Sequence, residues 1–316
     1  MGRLIFVEGF PGAGKSTTAQ FLARQLNRHG RLARWVCEEE VPNPFVPTAP
    51  SGGYETWEQF ADTRVERWRA FVAAASDYDA TVIPESALLQ LPILTMLRRN
   101  ADPSAIAELV SRLVQTAAPL RPTLVYLARR DPEAAFRAIG EQRGLAWLLQ
   151  HAASSGGYAF TQSRGLSGVD GLLTYWRAHG DLCDTIVERV DIPKLVLEVG
   201  LDSWAERRRR ICDFVDVPFG ADPVADATDM ARVAGRYSDG KREVTIEMAE
   251  GRLILRGTLW LSNALLPVTP NVCDVESWPL RVIFDGDSAG RVHALHFSGP
   301  RLSWGGPSGV FARIAS

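Results

Sequence analysis

Five short apolar-rich runs punctuate the first two-thirds of the chain: RLIFVE (3–8), RLARWVC (31–37), ATVIP (80–84), PTLVYLA (122–128) and KLVLEV (194–199). Runs of this length, rich in branched and aromatic side chains, are those of strands buried on both faces. Helical periodicity fills the intervals. In TTAQFLARQLNRHG the residues Ala19, Leu22, Ala23 and Leu26 share one face and Gly30 supplies a stop, while Trp57 to Ala75 and Pro103 to Ala117 read as further helices. Alternation of strand and helix predicts an α/β domain, a five-stranded parallel sheet covered by helices, with ligands gathering at the carboxyl ends of the strands.

After Pro218 the pattern changes. FGADPVADATDMARV is polar and reads as a linker with a short helix. Then REVTIEM, a turn at Ala249–Gly251, RLILRGTLWL, LRVIFD, the turn GDSAG and RVHALHF alternate with period two, the signature of paired hairpins. The predicted organisation is an α/β domain over 1–217, a linker over 218–232 and a small antiparallel β domain over 233–316.

Composition narrows the classes. Lys and Arg total 35 against 37 for Asp and Glu, a balance that gives no support to binding nucleic acid or an anionic membrane. The four cysteines are widely separated and form no metal-ligand spacing, as expected of small buried side chains in a reducing cytoplasm. Leu4 to Val7 is too short for a secretory core and no apolar stretch approaches a membrane span, so a cytoplasmic location is expected.

The candidate chemistry begins at GFPGAGKS, in which Gly9, Gly14, Lys15 and Ser16 hold the G-x-x-x-x-G-K-[ST] spacing between a strand and a helix. Glycines let successive backbone N–H groups converge on phosphate oxygens, and the helix start adds its positive end. Gly9, Gly12, Ala13, Gly14, Lys15, Ser16 and Thr17 are therefore expected to cradle the phosphates of ATP, with the Ser16 hydroxyl in a magnesium shell. No N-K-x-D guanine-reading sequence is present, and no long apolar strand ends in an Asp-Glu pair, which removes GTP switches and large motor ATPases and leaves a kinase.

With these residues in hand, about 1 to 215 of the chain resembles the thymidylate kinase-like and nucleoside/nucleotide kinase group of P-loop kinases. The resemblance is carried by FVEGFPGAGKSTTAQFLARQL, by the acidic residue after the third strand in PESALLQ, and by PTLVYLARRDPEAAFRAIGEQRG. It implies a P-loop NTPase fold, ATP and Mg2+ as cofactors, and an arginine-bearing lid with Arg137 and Arg143 closing over the transferred group. Lid and acceptor-recognition insertion would span about 129–192. Ser86 stands where these kinases carry Arg, EEEVPNPF replaces Arg-Glu-Pro-Gly, and Leu145 to Ile192 is additional, so the acceptor is expected to differ from thymidylate.

Phosphoryl transfer needs positioning and charge neutralisation. Lys15 and magnesium would hold the group, Arg137 and Arg143 would neutralise developing charge, and Glu85 would either take the acceptor's proton or hold a magnesium-bound water. Glu38, Arg64 and Arg164 (the last in the glycine-rich GGYAFTQSRGLSGVDG) are candidate substrate contacts, whereas Arg207 to Arg210, spread over all faces of a helix, read as solvated charge. The β domain resembles a small lipocalin-like module through Gly235, Tyr237 and the closing Gly309, Phe311 and Arg313, with acceptor recognition, homodimerisation or docking as its open roles. The expectation is an ATP- and Mg-dependent kinase acting on a small-molecule hydroxyl or phosphate; the alternative is an ATP-binding regulator or scaffold that signals through the β domain.

Overall fold

The computed structural model describes residues 3–46, 56–75, 79–200, 202–222, 224 and 226–314; Pro223 and Ala225 of the expected linker lie outside them. The chain divides into two compact units, one of Met1–Glu38, Asn43–Glu141 and Leu145–Phe219, the other of Glu39–Pro42, Gln142–Gly144 and Gly220–Ser316.

In chain order the elements are β1 Leu4–Gly9, α1 Lys15–Arg28, β2 Ala33–Val36, β3 Glu40–Val41, α2 Trp57–Ala75, β4 Thr81–Pro84, α3 Gln90–Arg98, α4 Pro103–Ala117, β5 Pro122–Ala128, α5 Pro132–Arg143, α6 Leu145–Ser155, α7 Ala159–Gln162, α8 Gly168–Arg189, β6 Lys194–Glu198 and α9 Trp204–Phe214. α10 Ala227–Val233 and β7 Gly235–Ser238, β8 Glu243–Ala249, β9 Arg252–Arg256, β10 Asn263–Thr269, β11 Val272–Val275, β12 Arg281–Gly286, β13 Val292–Ser298, β14 Arg301–Leu302 and β15 Val310–Ile314 follow.

Strands β2-β4-β1-β5-β6 form one sheet, every pair parallel, so the first unit is an α/β P-loop fold with a five-stranded parallel sheet. Every residue of β1 is buried, because this central strand has neighbours on both edges and helices on both faces. The aromatics of α2 serve the core: Trp68 is fully buried, 5.4 Å from the Phe6 ring and 4.6 Å from that of Phe45. Local chemistry sets the helix starts. Asp102 accepts from Ser104 N ahead of Pro103 in α4, and Ser203 with Glu206 forms a capping box on α9.

In the second unit, eight antiparallel strands close into a barrel in the order β10-β11-β12-β13-β15-β7-β8-β9. Closure leaves no free sheet edge in the barrel, and an eight-stranded barrel is consistent with the lipocalin-like resemblance. Alternate residues fill its interior, among them Tyr237, Val244, Ile246, Leu255, Val282, Phe284, Leu295 and Phe311. One strand is shorter than its pattern. RLILRGTLWL ends as β9 at Arg256, because Gly257 takes a φ of 86°, where a Cβ would lie 2.5 Å from the Glu243 carbonyl oxygen. β14 stands outside the barrel and pairs with β3 of the same unit.

The stretch 156–171, whose glycines and serines suggest a loop, contains α7 and the start of α8. Phe160 and Thr161 are buried, and the Thr161 hydroxyl donates to the Ser155 carbonyl, which fixes the turn against α6. Among the described residues no helix is long and apolar enough to cross a membrane.

The two buried clusters share no residue, which gives a first test. Leu295→Ala should remove about 2–5 kcal/mol from the barrel core. Hydrogen exchange should then accelerate in β12 and β13 while β1 and β5 keep their protection; equal acceleration in both units would contradict separate cores.

Candidate active site

β1 delivers the chain to a tight reversal. Gly9 has a φ of 150°, and a Cβ there would sit 2.3 Å from the Leu127 carbonyl oxygen of β5, so only glycine allows the strands this register. Phe10 N donates to that same oxygen and Ala13 N to the Phe10 carbonyl. Gly14, left-handed at a φ of 89°, caps α1 and turns its first amides inward. Lys15 opens the helix, is 7% exposed, and donates from Nζ to the Phe10 carbonyl at 3.0 Å. The loop is packed on its outer side by Ile139 of α5, 2.7 Å from where a Cβ on Gly12 would lie, and by α8, whose Gly180 abuts the Phe10 ring.

β4 brings Glu85 to the same end of the sheet. Glu85 bridges to Val7, its N–H donates to the Val36 carbonyl, and its Oε1 accepts from Glu38 N at 3.4 Å. The Ser16 hydroxyl stands near enough to the Glu85 carboxyl to favour its ionised form, which places the P-loop beside the acidic strand end. Oε2 of Glu85 is buried without a hydrogen-bond partner among the described residues. Burial, and then the neighbouring Glu38 charge, hold the Glu85 carboxyl well above the ordinary carboxylate range; the nearby Ser16 hydroxyl and Lys15 oppose the rise. Glu38 is half-buried and accepts from Gln90 Nε2 at 3.2 Å.

The segment after β4 is held from behind by Glu8, which sequence reasoning did not single out, together with Ser86 and Arg64. Glu8, fully buried, accepts from Leu88 N at 2.6 Å and Gln90 N at 3.1 Å, which fixes the start of α3. Its pKa is raised to about 6 by burial, against the lowering effect of those amides and of Lys15. An acidic residue ending an otherwise apolar strand was its only signal. Ser86 sits at a φ of 59°, the left-handed region, and donates from its backbone to the Val7 carbonyl. Arg64, fully buried in α2, donates from Nη2 to the Ala87 carbonyl at 2.5 Å. It thus meets the loop beside Glu85 as a brace.

The structure brings together Gly9, Gly12, Ala13, Gly14, Lys15, Ser16, Thr17, Glu85 and Glu38, with Arg64 supporting them. It does not bring in Arg137, which is exposed on α5, two residues and hence about 200° around the helix from the Ile139 contact. Arg143 belongs to the second unit, where its guanidinium lies 4.1 Å over the Trp260 ring. Arg164 bonds Asn100 Oδ1 and the Phe160 carbonyl and stacks on the Phe160 ring, so its partners are its own surroundings. A cavity of about 990 Å³ lies elsewhere, at the amino ends of β5 and β6 against Pro122 and Pro193, and touches none of this cluster.

Neither a known protein family nor any curated protein matches the chain. Among solved structures it is similar to the deoxyadenosine kinase from M. mycoides with bound dATP, at 16% identity over 67% of this chain and 99% of that one, with a TM-score of 0.38. It is also similar to the YorR protein of Bacillus subtilis in complex with phosphorylated GDP (12% identity, 67% and 95% coverage, TM-score 0.35). The thymidylate kinase from Candida albicans is a third (13% identity, 68% and 91% coverage, TM-score 0.39).

His179 of α8, fully buried against Phe10, supplies a pH test. Burial, helped by Lys15, pushes its pKa from 6.5 down to about 3, so the folded protein keeps the ring neutral. The unfolded chain takes up a proton below about 6.5, so stability is present above that pH and is lost as pH falls from there toward 3. Glu8 acts with the opposite sign below pH 6, so comparison with a variant isolates the imidazole. His179→Gln should show a shallower loss of unfolding free energy between pH 6.5 and 4 than the unsubstituted protein. Parallel pH curves would contradict the neutral buried ring.

Proposed function

We propose that the protein is an ATP- and magnesium-dependent phosphotransferase that moves a γ-phosphoryl group to a small-molecule hydroxyl or phosphate. The observation that supports this most is the buried Glu85 carboxyl beside the P-loop, with one oxygen lacking a partner among the described residues and Ser16 and Lys15 both close enough to favour its ionised form, which sets an acidic group next to a phosphate cradle on one sheet end. A nucleotide-binding module needs the cradle alone. A phosphotransferase also needs a polar group beside the transferred phosphoryl to receive the acceptor.

The residues fit a magnesium ion. Ser16 Oγ, the partnerless Oε2 of Glu85 and the Glu38 carboxylate are hard oxygen donors, and two crowded carboxyls gain from a divalent charge. When bound, the ion would neutralise phosphate charge. Lys15, freed from the Phe10 carbonyl, would hold the β and γ phosphates, and Glu85 would orient the acceptor for in-line attack. Glu38 and Gln90, bonded to each other, form the acceptor side of the cluster, with Glu8 and Arg64 holding their loop. The sequence departures at Ser86 and EEEVPNPF favour an acceptor other than thymidylate.

The test is ADP formation across a panel of small-molecule hydroxyl and phosphate compounds, with the product confirmed by mass spectrometry. One compound should stimulate turnover. Glu85→Gln should lower that stimulated rate by about 10²-fold or more, the scale of a lost acid–base or positioning group, while leaving ATP affinity within a few fold. Full acceptor-stimulated turnover in Glu85→Gln would overturn the assignment.

A further inference from the structure

Two arginines other than Arg137 and Arg143 flank the P-loop on the side away from Glu85. Arg129 follows β5 directly, one residue beyond Ala128, and β5 is the strand whose Leu127 carbonyl meets Phe10 N. Arg207 lies on the first turn of α9, its guanidinium 4.7 Å over the Trp204 ring. The edge of that ring lies 3.3 Å from where a Cβ on Gly14 would be, so α9 is seated against the start of α1. With the order β2-β4-β1-β5-β6, Glu85 stands on one side of the loop and this pair on the other.

The pair is electrostatically incomplete. Arg129 Nη1 and Arg207 Nε and Nη1 are buried and have no hydrogen-bond partner among the described residues. The acids that face them are engaged. Asp202 holds Arg210 at 2.6 Å, and Asp131 accepts from Ala134 N at 2.8 Å. Burial depresses both guanidinium pKa values, and Arg129 depresses Arg207 further through its like charge. Two half-buried cations with unused donors cost stability unless an anion joins them. Guanidinium groups offer donors only, in a fork matched to phosphate or carboxylate.

We propose that Arg129 and Arg207 form an anion clamp for the nucleoside-proximal phosphate of a nucleotide held on the P-loop. With the acceptor received at Glu85, the transferred phosphoryl faces β4, and the nucleoside end of the phosphate chain runs toward β5 and β6, where the two arginines stand. The clamp acts in nucleotide binding, before transfer, and Trp204 keeps Arg207 in place by stacking. This assignment rests on the nucleotide-binding part of the proposed function and assigns Arg207 a ligand role that its place in a run of four arginines conceals.

The experiment compares Arg129→Gln, Arg207→Gln and Lys15→Ala with the unsubstituted protein, measuring ATP and ADP affinity by calorimetry and thermal midpoints with and without nucleotide. Each glutamine variant is expected to weaken ATP and ADP binding by roughly tenfold, the scale of one charge-assisted bond. The ligand-free midpoint is expected to stay level or rise, because a like-charge contact has been removed. An arginine with a merely structural role would do the reverse, lowering the ligand-free midpoint with affinity unchanged. Nucleotide affinity within twofold of the unsubstituted protein in both variants, with binding lost in Lys15→Ala, overturns the clamp alone. Absence of ATP binding to the unsubstituted protein overturns the phosphotransferase reading and the clamp together.

Discussion

The arrangement depends on withdrawing ionisable groups from water at one end of a parallel sheet. Glu8, Lys15 and Glu85 are all at least nine-tenths buried within the turns that join β1 to α1 and β4 to α3. Buried charge is costly unless it is paired or hydrogen-bonded. Glu8 meets this demand through the Leu88 and Gln90 amides, so the carboxylate that would otherwise destabilise the sheet orders the loop carrying Glu85. Lys15 meets it through the Phe10 carbonyl. Glu85 meets it only in part, with one oxygen engaged and the other buried without a partner. By the reading proposed above, that imbalance leaves room for a ligand at Glu85.

Glu8, which braces the site, has both carboxyl oxygens engaged, one by each of two backbone amides. Groups that face the nucleotide, by the reading favoured above, have bonding left over, as with Glu85 Oε2 and the donors of Arg129 and Arg207. Leftover bonding of this kind costs stability, and the same unit gains it back in packing such as that of Trp68 with Phe6 and Phe45.

The central features were legible in the sequence because they are local. Strand, glycine turn and helix follow one another within residues 4–28, and spacing alone places Lys15 and Ser16. Glu85 was legible because it follows a short apolar strand. Features that depend on distant partners were not legible. Glu8 reads as part of a strand, and only the fold shows that it reaches the amides of residues 88 and 90. Arg64 reads as an amphipathic-helix cation with several uses, and burial reduces these to one. Arg207 was read as solvated because helical averaging over four arginines hides that one of them stacks on Trp204 beside Gly14. The 156–171 stretch misled through composition, since its glycines and serines cover two buried residues, Phe160 and Thr161, that hold it in helical turns.

The central claim is that the backbone from Gly9 to Ser16 is a phosphate cradle whose lysine is parked on a carbonyl until the ligand arrives. A crystal structure with ADP and magnesium tests it most directly. The expected result is the β-phosphate on the amides of residues 12–16, the metal beside Ser16, and Lys15 Nζ turned from the Phe10 carbonyl to phosphate oxygen. Nucleotide bound elsewhere, with Lys15 still donating to Phe10, would contradict it.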